Sequence, residues 1–463
     1  MDYYDANAAA EDIADDAKQT RTWAPGSDDN GVLSTKGTLR ISGDGTLNVE
    51  TKYKHGLYAK NRIYMFGGNV GVFNQGRNGI QSKNGFDMSG GTVLLCGVGE
   101  HTNKQSRGII VSGDESEDGA GLGGISISGG VIGIQTTGKA ISAKWDIDED
   151  AETDDTSDDP SPVVSVSGGV INIVTTAKVV DSDFSDTVSY YDEDGLPVTE
   201  KESCSPEGIE GKLGVDISGG TIAISSTDDA LNASRDISGS DRGYVTIRDG
   251  LESPRVWLKS SSADAIDSNG DINIEGGVVV AVSSLGSEDG FDCDGALNFR
   301  GGLAVGISGS SHVYARETSD NEQNVFVLSS SYAGKPGTSM AIANSAGKAV
   351  FAFEIPSDIS SYGIMTLSSP ELASSDTYSI VSGATLGGGG SFGGLYEEMP
   401  DVSGGTSAGT ITTSSGTRVY TLGSSGQSQP GGGNPPSDGG TPPSDGGTPP
   451  GWSSGGAATE TLP

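Results

Sequence analysis

Apolar and polar residues alternate ahead of repeated Gly-Gly pairs along much of the chain, as in "RIYMFGGNVGV", "GFDMSGGTVLL", "GISISGGVIGI", "VVSVSGGVINI", "GVDISGGTIAI", "DINIEGGVVVAV" and "ALNFRGGLAVGI". Ile63 and Met65, Ile125 and Ile127, and Ile272 and Ile274 hold the same places in this pattern. A period of two predicts short strands with one buried face. The glycine pair then predicts a corner that side chains would obstruct, followed by a second short strand.

A third element precedes each pair: "HGLYAK", "NGIQSK", "RGIIVS", "KAISAK", "EGIEGK", "DALNAS", "DAIDSN" and "DGFDCD". Its third residue is apolar and its fifth small, which suits an inward row, so the fourth and sixth residues face outward. Three short strands per repeat, with Gly67 and Gly90 only 23 residues apart, predict an all-β chain wound as a right-handed parallel β-helix, a solenoid. No single turn could bury its apolar face, but a stack shares one core.

The pattern divides the chain into an acidic segment or cap at 1–30, the β-helix at 31–310, a small C-terminal β domain at 311–423 and a low-complexity Pro/Gly/Ser tail at 424–463. The tail, "QPGGGNPPSDGGTPPSDGGTPPGWSSGG", has no means of packing a core and is expected to be disordered. Acidic, turn-rich insertions at 146–160 and 181–203 are expected to be surface loops. The segment "YVTIRDGLESPRVWLKS" carries Asp249-Gly250 where the other repeats have two glycines.

Charge narrows the partners. With 27 Lys+Arg against 63 Asp+Glu, the formal net charge is -36, which argues against nucleic acid and anionic membrane surfaces. No apolar run is long enough for membrane insertion, and "MDYYDANAAAEDIADD" has neither a basic start nor an apolar core. Three cysteines form neither a disulfide framework nor a metal-binding spacing.

Stacking converts alignment columns into surface rows about 4.8 Å apart. The first position of the third element reads Glu207, Asp229, Asp264, Asp289 over the last four turns, and the fourth reads Glu210, Asn232, Asp267, Asp292; Asn269 and Asp294 extend the sixth. Stacked like charges at this spacing repel. Ca2+, which accepts six to eight oxygens in loose geometry, would relieve them. The plainer alternative is that solvated Asp and Asn favour turns.

On earlier turns the sixth position is Lys60, Lys83, Lys144 and Lys212, with Lys36 in register before them. A row of ammonium groups on so acidic a chain suits an extended polyanion such as a uronic-acid polysaccharide, with Tyr58 and Trp145 as platforms for sugar rings. Neutralisation of neighbouring carboxylates explains the lysines equally well.

No catalytic residue is assigned. His55, His101 and His312 are scattered, and two fits to G-x-S-x-G, around Ser391 and Ser407, lack a strand-turn-helix context. The enzymatic alternative is a calcium-dependent pectate-lyase-like β-elimination, with Lys212 as the base to test. A surface adhesin or structural spacer is the third reading.

The phrases "DAIDSNGDINIEGGVVVAV" and "SSPELASSDTYSIVSG", with the "GIxSK…ISGGTIxI" pattern, resemble the bacterial carbohydrate-binding domain family whose parallel β-helix is similar to calcium-dependent pectate lyases. The resemblance spans about 31–422. It implies a secreted or cell-surface protein that binds calcium and acidic plant-type polysaccharide, polygalacturonate or pectin, with little or no lyase activity. Carried onto this chain, it implies Asp229, Asp264, Asp267, Asp289 and Asp292 as metal ligands. The expectation is therefore a monomeric, calcium-binding, non-catalytic carbohydrate-binding protein.

Overall fold

The computed structural model describes residues 30–52, 54–75, 77–98, 106–113, 123–145, 162–179, 186–191, 197–202, 204–235 and 242–423. The expectations for 1–29, for the insertion at 146–160 and for the tail lie outside these residues.

Among the described residues the fold is all-β apart from one four-residue helix, Ser330–Ala333. From Gly31 onward the strands recur in threes. Gly31–Thr35, Leu39–Ile41 and Thr46–Thr51 are followed by His55–Ala59, Arg62–Met65 and Asn69–Asn74, each pairing in parallel with its counterpart one turn earlier. The first strands of successive turns build a nine-stranded parallel ladder that ends at Asp292–Cys293. The second and third strands build two further parallel ladders, which merge into one sheet where the chain runs unbroken through the glycine corner. Gly124–Thr136, for example, is one strand paired with Val163–Thr175, its register shifting at Ser128 to Val131.

That shift is why the glycines are there. Gly130 has φ 90°, a region costly for other residues, and a Cβ on Gly129 would lie 2.7 Å from the Ser89 carbonyl oxygen. The alternation ahead of the corner buries the expected side: Ile63, Phe86, Ile125, Val164, Val215, Val245 and Ile272 stack in register inside one continuous core.

Two segments depart from the loop expectation or from the glycine pattern. Asp186–Tyr191 and Pro197–Glu202 form an antiparallel hairpin within the predicted surface loop. The segment lacking a glycine pair still contributes Tyr244–Ile247 and Arg255–Ser260 to the parallel ladders, with Asp249 Oδ1 accepting the Gly277 N–H at 2.9 Å.

After Ser308 the chain changes habit. Leu297–Ser308 pairs antiparallel with Ile364–Ser368, which pairs antiparallel with Val325–Ser329, and a six-stranded sheet follows within residues 339–412. Phe326, Phe351, Phe353, Tyr378 and Leu395 pack with Val280, Val282, Val305 and Ile307. The C-terminal strands therefore share a core with the outer side of the last parallel turns.

Candidate functional site

The first-strand ladder carries the candidate residues, and its register fixes their order. The fourth-position column runs Ser34, Tyr58, Gln81, Ile110, Ser142, Glu210, Asn232, Asp267, Asp292. The first-position residues stack beside it: the Gly208, Ala230 and Ala265 N–H groups donate to the Asp229, Asp264 and Asp289 carbonyls at 2.9, 3.2 and 3.0 Å. Their side chains also link turns, since Asp229 Oδ1 accepts the Asp264 N–H at 3.0 Å and Asp264 Oδ1 accepts the Asp289 N–H at 2.5 Å.

Both ends of this acidic block meet a basic side chain. At one end Lys139, which the sequence reading passed over, lies 2.9 Å from both Glu207 Oε2 and Glu210 Oε1. Burial opposes the lysine's charge, but the two carboxylates outweigh it and raise its pKa. Glu207, buried and beside Glu210, is pushed up to about 8 despite Lys139. Glu210 is equally buried but is held below its usual range by Lys139, by Ser142 Oγ at 2.6 Å and by Ser234 Oγ at 3.1 Å. At the other end His312 Nδ1 lies 3.1 Å from Asp289 Oδ2, and Ser310 Oγ donates to Asp289 Oδ1. Burial still raises Asp289 above its ordinary value.

Between these ends, Asp264, Asp267 and Asp292 offer carboxylate oxygens that all lie within 4.8 Å of one another. Burial, then Asp292, pushes Asp264 up to about 9. Burial, then Asp292 and Asp294, pushes Asp267 up to about 7. Asp292 is pushed up to about 6 by burial, although a Tyr314 hydrogen bond favours its charged form. Asp229 is raised well above its usual value by burial, then by Asp267 and Asp228. No described lysine or arginine forms an ion pair with Asp229, Asp264, Asp267 or Asp292.

Asn232 supplies a separate observation. Its Nδ2 donates to Asp229 Oδ2 at 3.2 Å, while its buried Oδ1 has no hydrogen-bond partner. Such an oxygen is costly to leave unsatisfied, and its residue is in register with Asp267. Three carboxylates and an amide oxygen are an oxygen-only donor set, which fits a hard divalent cation.

The remaining candidates surround this block. Asp294 is exposed and 3.4 Å from Arg242, and Asn269 Nδ2 donates to the Ser234 carbonyl at 3.2 Å. The sixth-position lysines follow the ladder: the Lys60 and Lys212 N–H groups donate to the Thr35 and Ala143 carbonyls, while Lys144 is in register with Ser112, which interrupts the row. Lys60 is exposed, whereas Lys83, Lys144 and Lys212 are half-buried. Tyr58 is half-buried and stacked on His55, with ring centroids 5.9 Å apart. The Trp145 side chain lies outside the described residues.

Sequence reasoning did not find Lys139 or His312. Lys139 stands at the first position of "KAISAK", so the column reading could have reached it. His312 follows the last repeat, and only the fold brings it to Asp289.

A family model described as "Carbohydrate-binding domain-containing protein" matches residues 6–253, more than half of the chain. No curated protein and no solved structure matches it.

Proposed function

Because the chain belongs to the carbohydrate-binding domain-containing protein family, we propose that it is a non-catalytic module that binds acidic, uronate-containing polysaccharide along the first-strand ladder with the help of calcium. Asp264, Asp267 and Asp292 would hold the cation, with Asn232 beside them and Asp229, Asp289, Asn269 and Asp294 around them. Calcium would supply a bridge from these carboxylates to those of a pectin-like chain, while Lys60, Lys83, Lys144 and Lys212 line its path on earlier turns. Glu207 and Glu210 play a different part, since Lys139 already neutralises them in part.

The observation that supports this reading best is the group of three carboxylates from two adjacent turns, Asp264 and Asp267 on one and Asp292 on the next, beside the unpartnered Asn232 oxygen. Repulsion within such a group is relieved by binding either protons or a cation. We further propose that the parallel turns wind right-handedly as a β-helix, the sense strongly favoured for parallel crossovers. The module would act as a monomer at the cell surface or outside the cell, where pectin-like polymers occur.

Titration calorimetry of polygalacturonate, with calcium or with chelator, tests the proposal on the wild type and on Asp264→Asn/Asp267→Asn. The expected result is calcium-dependent binding that the double variant loses, without ultraviolet-absorbing unsaturated product. Equal binding by both proteins would reject the cation site, and product formation would replace the module with a lyase.

A further inference from the structure

A second surface, on the second-strand ladder, has a feature that the acidic block does not use. Tyr64 and Phe66 stand two residues apart on the outward side of Arg62–Met65 and the residue after it. Their rings are nearly parallel, 5° apart in plane, with centroids 5.9 Å apart. Arg40, in register with Tyr64 one turn earlier, places its guanidinium carbon 4.8 Å from the Tyr64 ring centroid. Arg40 is exposed and forms no ion pair among the described residues.

The neighbouring ring, stacked on Tyr64, stays half-exposed. The Phe66 N–H donates to the Ile41 carbonyl at 2.9 Å, and the Ser89 N–H donates to the Met65 carbonyl at 2.9 Å. Phe66 therefore stacks between Ser42 and Ser89, both exposed and too short to cover an aromatic face. Phe66 is 50% exposed. A Cβ placed on Gly43 or Gly45, beside Ser42, would meet nothing within 4 Å. Where Arg40 lies over Tyr64, the short side chains of Ser42 and Ser89 leave half of Phe66 accessible, a slot beside that arginine.

We infer that this slot is a calcium-independent uronate subsite, in which a pyranose ring lies on Phe66 and its carboxylate pairs with Arg40. One face of a pyranose ring presents C–H groups, which pack on an aromatic face as other apolar surfaces do. A guanidinium already oriented on Tyr64 loses little freedom when it pairs with a carboxylate. The choice of uronate rests on the acidic-polysaccharide reading above, but the subsite uses different residues, a different ladder and no metal.

The test measures trigalacturonate binding in excess chelator, by saturation-transfer NMR and titration calorimetry, on the full chain. Wild type is expected to bind, Phe66→Ala and Arg40→Ala to weaken binding at least about tenfold, and Ser42→Leu to block it by filling the slot. Asp264→Asn/Asp267→Asn, which removes the calcium site, is expected to bind the trimer in chelator like the wild type. Absence of binding in chelator, or binding unaffected by Phe66→Ala and Ser42→Leu, would overturn the subsite. Loss in the aspartate variant alone would overturn it too, by assigning the binding to the other ladder.

Discussion

Lys139 Nζ lies 2.9 Å from Glu207 Oε2 across one turn of the ladder, and the same ammonium reaches Glu210 at 2.9 Å. One cation thus serves two buried carboxylates at the point where the first-position row turns acidic. Removing one partner of a buried ion pair is far costlier than replacing the whole pair, because a charge is left stranded. Lys139→Met is expected to lower stability by about 3–5 kcal/mol. Adding Glu210→Gln, which removes the carboxylate that Lys139 holds in its charged form, should recover part of that loss, with a coupling of about 1–3 kcal/mol in the double-mutant cycle. Denaturant melts of the four proteins measure both quantities, and additive effects would show that the pair is not coupled.

The column Glu210, Asn232, Asp267, Asp292 was legible in the sequence because one repeat phrase recurs at constant offset, and parallel pairing preserves such offsets. The buried faces were legible for the same reason, as with Ile125 and Val164. Lys139 carried no such signal, since its column changes sign between adjacent turns, from Lys139 to Glu207. The His312 contact with Asp289 had no local signal, because His312 lies beyond the repeat. Nor did Leu297–Ser308 announce that Ile364–Ser368 would pair with it antiparallel, a match set by long-range packing of Val305 and Ile307 rather than by turn chemistry.

The glycine corners give a stability prediction independent of the site. Gly130 combines φ 90° with a closely packed surround, where an added Cβ would sit 2.7 Å from the Gly91 carbonyl oxygen. Gly130→Ala should cost on the order of 1–3 kcal/mol through backbone strain alone, with more from the backbone contact. Gly43 also has positive φ, 96°, but open space around it, so Gly43→Ala should cost less. Comparison of the two thermal midpoints checks the ranking; equal losses would mean that corner packing contributes nothing.

The acidic block gives the chain an unusual dependence on pH. A carboxylate whose pKa is raised by folding keeps its proton after the unfolded chain has released its own. The stabilisation is therefore complete at low pH and is lost as pH rises from about 4 through the folded values, which are about 6 for Asp292, 7 for Asp267 and 9 for Asp264. In chelator, the thermal midpoint should fall progressively between about pH 5 and 9. Calcium should oppose that fall, and raise the midpoint more at pH 8 than at pH 5, since protons and the cation compete for the same oxygens. Calorimetric scans at fixed ionic strength measure the trend, and a calcium effect independent of pH would place the ion elsewhere.

Asp267→Asn separates a cation site from a merely acidic surface, because the two accounts predict different pairs of signs. The Asp267 carboxylate is half-buried and faces Asp292 and Asp294, so a neutral amide of the same shape removes repulsion when no cation is present. In chelator at pH 8 the variant should melt higher than the wild type. With calcium the order should reverse, since a carboxylate ligand has been lost and the wild type alone gains the binding contribution. Solvated turn residues would give neither change, and a purely structural carboxylate would give a lower midpoint under both conditions. The crossing of the two melting orders, measured on two proteins in two buffers, thus tests the origin of the raised carboxylates without requiring the polysaccharide.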